Sequence, residues 1–161
     1  MRVPAALLLL AGVLRRQEPE VSLELSQRAL RKLKGDTAAR VAVASSLRGL
    51  GRLDEADREA SLAEREPGQI GSTALAIRAR ILLAKGDAVR AERLVEDALR
   101  MSAGEPVALI ARAHVWAATR PPDEAARAVE DASAAARNNP FALLYEEVAE
   151  LRELTARRKA V

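Results

Sequence analysis

"GRLDEADREA" (residues 51–60) and "GDAVRAERLV" (residues 86–95) carry one pattern. Each opens on glycine, crosses a short polar turn and reaches an alanine, Ala56 or Ala91, followed four residues later by Ala60 or Val95. The two alanines lie 35 residues apart. A glycine that ends one helix, followed by small and apolar residues at helical spacing, is the signature of a helix–turn–helix unit. Its recurrence at nearly constant distance points to a repeat architecture.

With Ala56 and Ala91 as fixed points, Ala125 lies 34 residues on and Ser22 lies 34 residues back. Four residues after each come Ser26, Ala60, Val95 and Val129; seven after come Ala29, Ala63, Ala98 and Ala132. Twelve before come Leu10, Ala44, Ala79 and Ala113, and nine before come Val13, Leu47, Leu82 and Trp116. Spacings of three, four and seven share one helix face. Gly51 and Gly86 stand between the two helices of their units, where Pro19, Pro121 and Pro122 break the chain in the first and last. The alanine columns let paired helices approach closely, and Leu47, Leu82 and Trp116 fill the space beside them.

These residues resemble the tetratricopeptide repeat (TPR) family, whose unit is a 34-residue helix–turn–helix. "SSLRGLGRLDEADREASLA" and "ILLAKGDAVRAERLVEDAL" carry the resemblance best. It implies an all-α solenoid of about four repeats in one domain spanning residues 1–161. The repeats fall at about 3–36, 37–70, 72–105 and 106–139, with Gly71 as an extra loop residue. A terminal helix follows over 141–157, capped by Asn138 or Asn139 with Pro140 in its first turn. There Glu146, Glu147, Glu150, Arg152 and Glu153 form a solvent face. One helix pair cannot bury its apolar face alone, so each presents the same face to the next.

Composition agrees with this architecture. Apolar residues make up 49% of the 161-residue chain, yet the aromatics are only Phe141, Trp116 and Tyr145. Such a core suits closely packed helices and suits strands poorly. There is no cysteine, which excludes disulfides, thiolate metal sites and a cysteine nucleophile. The net charge of +3 is spread along the chain without a basic run or an aromatic stacking set, so no nucleic-acid partner is expected. Abundant arginine and alanine suggest a bacterial source.

The opening "MRVPAALLLLAGVLRR" has two readings. A positive start before an apolar run resembles a targeting signal over residues 1–16. Twelve residues, Val3 to Leu14, fall short of the roughly 20 that span a bilayer. In the repeat register the same run is the first helix, with Leu9, Leu10 and Val13 on packing columns. The register favours this second reading and a cytoplasmic protein; the first would make it periplasmic or membrane-associated. Because the run is apolar nearly all round, Leu7, Leu8 or Leu14 would face a partner, a second copy or another part of a longer protein.

No enzyme constellation emerges. His114 is the only histidine, and the helical positions beside it are Ile110 and Ala118, neither a metal ligand nor a base. Ser45 and Ser46 lack a nucleophile-elbow context. "GLGRLDE" lacks the Gly-Lys-Ser/Thr ending of a phosphate loop. The expectation is a protein without catalysis, cofactor or metal.

The resemblance also implies a binding surface, because first helices of successive TPR repeats line a concave groove. The matching positions are Leu7, Ala11 and Leu14; Val41, Ser45 and Arg48; Ala76, Arg80 and Leu83; and Ile110, His114 and Ala117. Arg48, Arg80 and His114 make the middle of that groove polar and basic beside a Leu/Val/Ile column. It would suit a protein or peptide segment carrying a carboxylate, which arginine grips bidentately. Leu7 and Val41 stand where the clamp for chaperone tails needs polar groups, so that ligand is not expected. The sequence thus points to an interaction scaffold or adaptor, or to the repeat region of a larger bacterial enzyme, regulator or secretion component.

Overall fold

The computed structural model describes residues 3–137 and 143–160, with side chains of the last helix described from residue 147 onward. Among the described residues there are nine helices and no strand: α1 (Val3–Leu14), α2 (Pro19–Lys32), α3 (Thr37–Gly49), α4 (Leu53–Ala63), α5 (Gln69–Ala84), α6 (Ala88–Met101), α7 (Pro106–Thr119), α8 (Pro122–Arg137) and α9 (Leu143–Lys159). They pack as consecutive pairs, and each first helix also lies against the next first helix: α1 on α3, α3 on α5, α5 on α7, α7 on α9. This is a TPR-like all-α solenoid. The expected Asn138, Asn139 and Pro140 cap, the start of the terminal helix at 141 and the Glu146 side chain lie outside the described residues.

Local chemistry sets the helix ends. Asp36, Asp87 and Glu105 accept hydrogen bonds from the backbone N–H of Ala39, Arg90 and Ala108 at 2.8, 3.0 and 2.7 Å. Each satisfies a first-turn donor that the helix itself leaves open. Pro19 and Pro106 occupy first-turn positions, where a missing N–H costs nothing. At Gly51 and Gly86 φ is +73° and +84°, and the next N–H closes back onto Leu47 O and Leu82 O at 3.0 and 2.9 Å. That left-handed closure is cheap only for glycine, which explains the pattern in "GRLDEADREA" and "GDAVRAERLV".

The columns of the second helices are buried throughout: Ser22, Ala56, Ala91 and Ala125; Ser26, Ala60, Val95 and Val129; Ala29, Ala63, Ala98 and Ala132. In the first helices Ala44, Ala79, Ala113 and Leu47 are buried as expected. Trp116 is half-buried, with the guanidinium of Arg112 5.3 Å and that of Arg120 5.7 Å from its ring centre.

Two expectations need correction. Leu9, Leu10 and Val13 are 46%, 47% and 53% exposed, whereas Ala11 is 1% exposed. The register of α1 is therefore shifted by one, so that Ala11, Ala44, Ala79 and Ala113 form the small-residue column. The turn after α1 lacks glycine and brings Ala11 to Ser22 in 11 residues, against 12 from Ala44 to Ala56. The buried Ser22 hydroxyl fixes this phase by donating to Ala11 O at 2.8 Å. Second, Gly71 is no loop residue. It lies buried inside α5, which starts at Gln69. An added Cβ there would run into the Glu66 carbonyl oxygen and lie 2.7 Å from Met101 Sδ. Glycine lets the preceding loop close onto α5.

Candidate functional site

The side chains on the first-helix side of the solenoid converge on one cavity of about 270 Å³. Its wall is a ladder of one residue per repeat: Arg15 just past α1, Arg48 in α3, Arg80 in α5, His114 in α7 and Glu147 in α9. The residues are separated by 33, 32, 34 and 33 positions, so the repeat itself stacks them. At the rim Arg16 pairs with Glu150. That bond joins the first repeat to the last helix across 134 residues. On this face a side-chain ion pair thus bridges the end of the first repeat and the last helix over an open pocket.

Glu147 is the hub. Its Oε1 pairs with the Arg80 guanidinium and accepts a hydrogen bond from His114 Nε2 at 3.1 Å. The Glu147 and Arg80 side chains are only 12% and 13% exposed. Burial alone would raise the Glu147 carboxyl, but the charge of Arg80, the His114 bond and Arg48 hold it well below the usual range. His114 is pushed down by burial, reinforced by Arg80 and Arg48, despite its bond to Glu147. It is therefore a neutral donor at neutral pH.

The two other arginines of the ladder, Arg15 and Arg48, have no such partner among the described residues. Arg15 Nη1 donates to Ser45 Oγ at 2.7 Å, and burial pushes its guanidinium down. Arg48 Nε is buried without a hydrogen-bond partner among the described residues. Burial, and then repulsion from Arg80, push the Arg48 guanidinium down to about 9. Among the described residues neither Arg15 nor Arg48 pairs with a carboxylate. α9 is firmly seated: Val148 and Leu151 sit in one core cluster with Ile110, Ala113 and Ala132, and Arg152 pairs with Glu130 at 3.0 Å.

Of the positions expected in the groove, Arg48, Arg80 and His114 line this cavity, and Ser45 supports Arg15. Leu7, Val41 and Leu83 are partly buried and lie off the cavity wall. Ala76 and Ile110 are core residues that present no surface. Arg15 and Glu147 were not anticipated. The register error at α1 put Leu14 where Arg15 belongs, and Glu147 was placed on the solvent face. The His114 partner comes from 33 residues away, beyond any search along its own helix. Among the described residues no group of His, Asp or Glu could hold a metal ion, and no helix is long and apolar enough to cross a membrane.

The fold class is thus a TPR-like helical-repeat solenoid with a charged pocket on its inner face. No protein-family model matches the chain, and no curated protein matches it. Among solved structures it is similar to YrrB, a TPR protein with an unusual peptide-binding site. The TM-score is 0.50 at 15% identity, over 96% of this chain and 91% of that one. At that identity the likeness concerns the fold.

Proposed function

We propose that the chain is a non-catalytic interaction module that docks an acidic segment of a protein partner on its inner face. The observation that carries this reading is the pair Arg15 and Arg48, two largely buried guanidiniums that pair with no carboxylate among the described residues, beside a cavity. Holding desolvated charge uncompensated is costly, and an arriving carboxylate or other anion removes that cost. The preformed ladder spares a partner much of the ordering entropy of binding. The likeness in fold to a peptide-binding TPR protein supports the same reading. The chain as a single repeat domain with units near 3–36, 37–70, 72–105 and 106–139 belongs to this proposal.

A peptide-array screen tests it. Wild-type protein should select peptides enriched in Asp or Glu next to an apolar residue, and Arg15→Gln/Arg48→Gln should lose that enrichment. Identical selections by both proteins would overturn the reading.

A second surface is supported by α1, where Val3, Leu9, Leu10 and Val13 are exposed. Its reading is self-association or packing against a further part of a longer protein. Sedimentation velocity of wild type against Leu10→Glu/Val13→Glu tests the first of these; a concentration-independent monomer in both removes it.

A further inference from the structure

The charge balance of the pocket narrows the class of ligand. Arg80 is neutralised by Glu147, and Arg16 at the rim by Glu150. His114 is held neutral by its buried position. Among the described residues the lining sets four arginines, Arg15, Arg16, Arg48 and Arg80, against two carboxylates, Glu147 and Glu150, and neither Arg15 nor Arg48 forms an ion pair with either. A single added carboxylate would leave Arg15 or Arg48 without one. The cavity of about 270 Å³, open to solvent with the Arg16–Glu150 pair at its rim, has room for a compact head group and little for a folded chain.

We propose that the pocket binds a doubly charged phosphoryl group, held by Arg15 and Arg48 and sharing Arg80 with Glu147. The proposal rests on the inner-face site of the partner-segment reading and specifies the group recognised there. Planar guanidinium forks suit phosphate oxygens, and three of them from three repeats can surround a tetrahedral dianion. Glu147 then acts as a tethered competitor. Its carboxylate occupies Arg80 while the pocket is empty, and an incoming phosphoryl group competes for the same donor. The phosphoryl group comes either from a phosphorylated side chain of the partner or from a small phosphate compound.

Calorimetry and thermal melting at pH 7.5 with inorganic phosphate test this, with sodium chloride of equal ionic strength as control. Phosphate should bind one-to-one, at least about tenfold tighter than acetate, and raise the melting temperature in a saturable way. Arg48→Gln removes an unpartnered charge, so it should fold, and it should weaken phosphate by about tenfold or more. Glu147→Gln should tighten it by about tenfold, since the competitor has lost its charge. A phosphoserine peptide that binds more tightly than inorganic phosphate identifies a modified partner as the source; equal affinity identifies a small phosphate compound. Phosphate no tighter than acetate, or unaffected by Arg48→Gln, overturns the proposal. If acidic peptides then still bind through Arg48, the partner-segment reading stands without it. If phosphate binds but the array selects nothing, that reading falls and the phosphate site stands.

Discussion

The carboxylate of Glu147 in α9 joins two other helices at one oxygen: Oε1 accepts from His114 Nε2 of α7 at 3.1 Å and pairs with Arg80 of α5. One acidic side chain from the last helix thus completes a site whose arginines come from earlier repeats. It also cancels repulsion that the repeat creates, because stacking one residue per unit brings Arg48 and Arg80 close enough to disfavour each other's charge. Replacing it by Gln keeps the shape and removes the charge. A buried ion pair broken on one side leaves an uncompensated charge, so Glu147→Gln is expected to cost about 3 kcal/mol. Urea unfolding measures it. The Arg80→Gln/Glu147→Gln double variant should recover part of the loss, and a purely additive double would show that the pair is not coupled.

The same residues set a pH dependence. His114 is kept neutral in the folded chain, while the unfolded chain takes up its proton near the ordinary value of 6.5. Below that pH the unfolded state binds more protons, so stability falls as pH falls. Glu147 is held below its ordinary value of 4.5, and its contribution is present above that pH and lost progressively beneath it. Glu105, buried and raised, works the other way and favours the folded state as pH drops towards 4.5. Acid unfolding should therefore start near pH 6.5 and steepen below 4.5. In His114→Gln the first stage should disappear and the second remain. Unfolding free energies taken between pH 4 and 8 would read both; an unchanged slope below pH 6.5 in the variant would refute the assignment.

How much of this was legible in the sequence depended on contrast between neighbouring residues. The second-helix columns could be read because a small residue at Ala56, Ala91 and Ala125 stands among charged ones, so the phase is unambiguous. α1 offers no such contrast. Leu7, Leu8, Leu9 and Leu10 are identical, and a uniform apolar run carries no phase. Only the Ser22 hydrogen bond to Ala11 O and the shortened turn decide it. That one-residue error also hid Arg15, which stands 33 residues before Arg48. Glu147 was hidden for a related reason. Glu146, Glu147, Glu150 and Glu153 are chemically alike, and which of them faces inward depends on how α9 is rotated against α7. Gly71 looked like loop because glycine is usually read as a breaker, whereas here close approach of the Glu66 carbonyl requires it.

Two glycines separate close packing from mere helix propensity. At Gly71 a methyl group has no room, and overpacking costs about 1–3 kcal/mol. At Gly12, inside α1, an added Cβ meets nothing within 4 Å. There alanine should stabilise by about 0.5–1 kcal/mol through helix propensity alone. Melting temperatures should move in opposite directions, by about 2–4 °C per kcal/mol at this chain length. A Gly71→Ala protein that melts with wild type would mean that the loop before α5 does not press on it.

The register of α1 can be tested by a pair of adjacent substitutions. Ala11 is buried against α2 and α3, where Ser22 and Ser46 share a hydrogen bond at 2.8 Å, so Ala11→Leu must push helices apart. It is expected to cost about 1–3 kcal/mol. Leu10 is nearly half exposed, and Leu10→Gln gives up little packing, so its effect should stay within about 0.5 kcal/mol. Were Leu10 the residue on the packing column, the order would invert, with the glutamine variant badly destabilised and Ala11→Leu tolerated. The outcome also bears on the pocket. The phase that buries Ala11 is the one that carries Arg15, four residues on, to the inner face beside Arg48. An inverted result would remove Arg15 from the ladder and with it one of the two arginines that form no ion pair among the described residues.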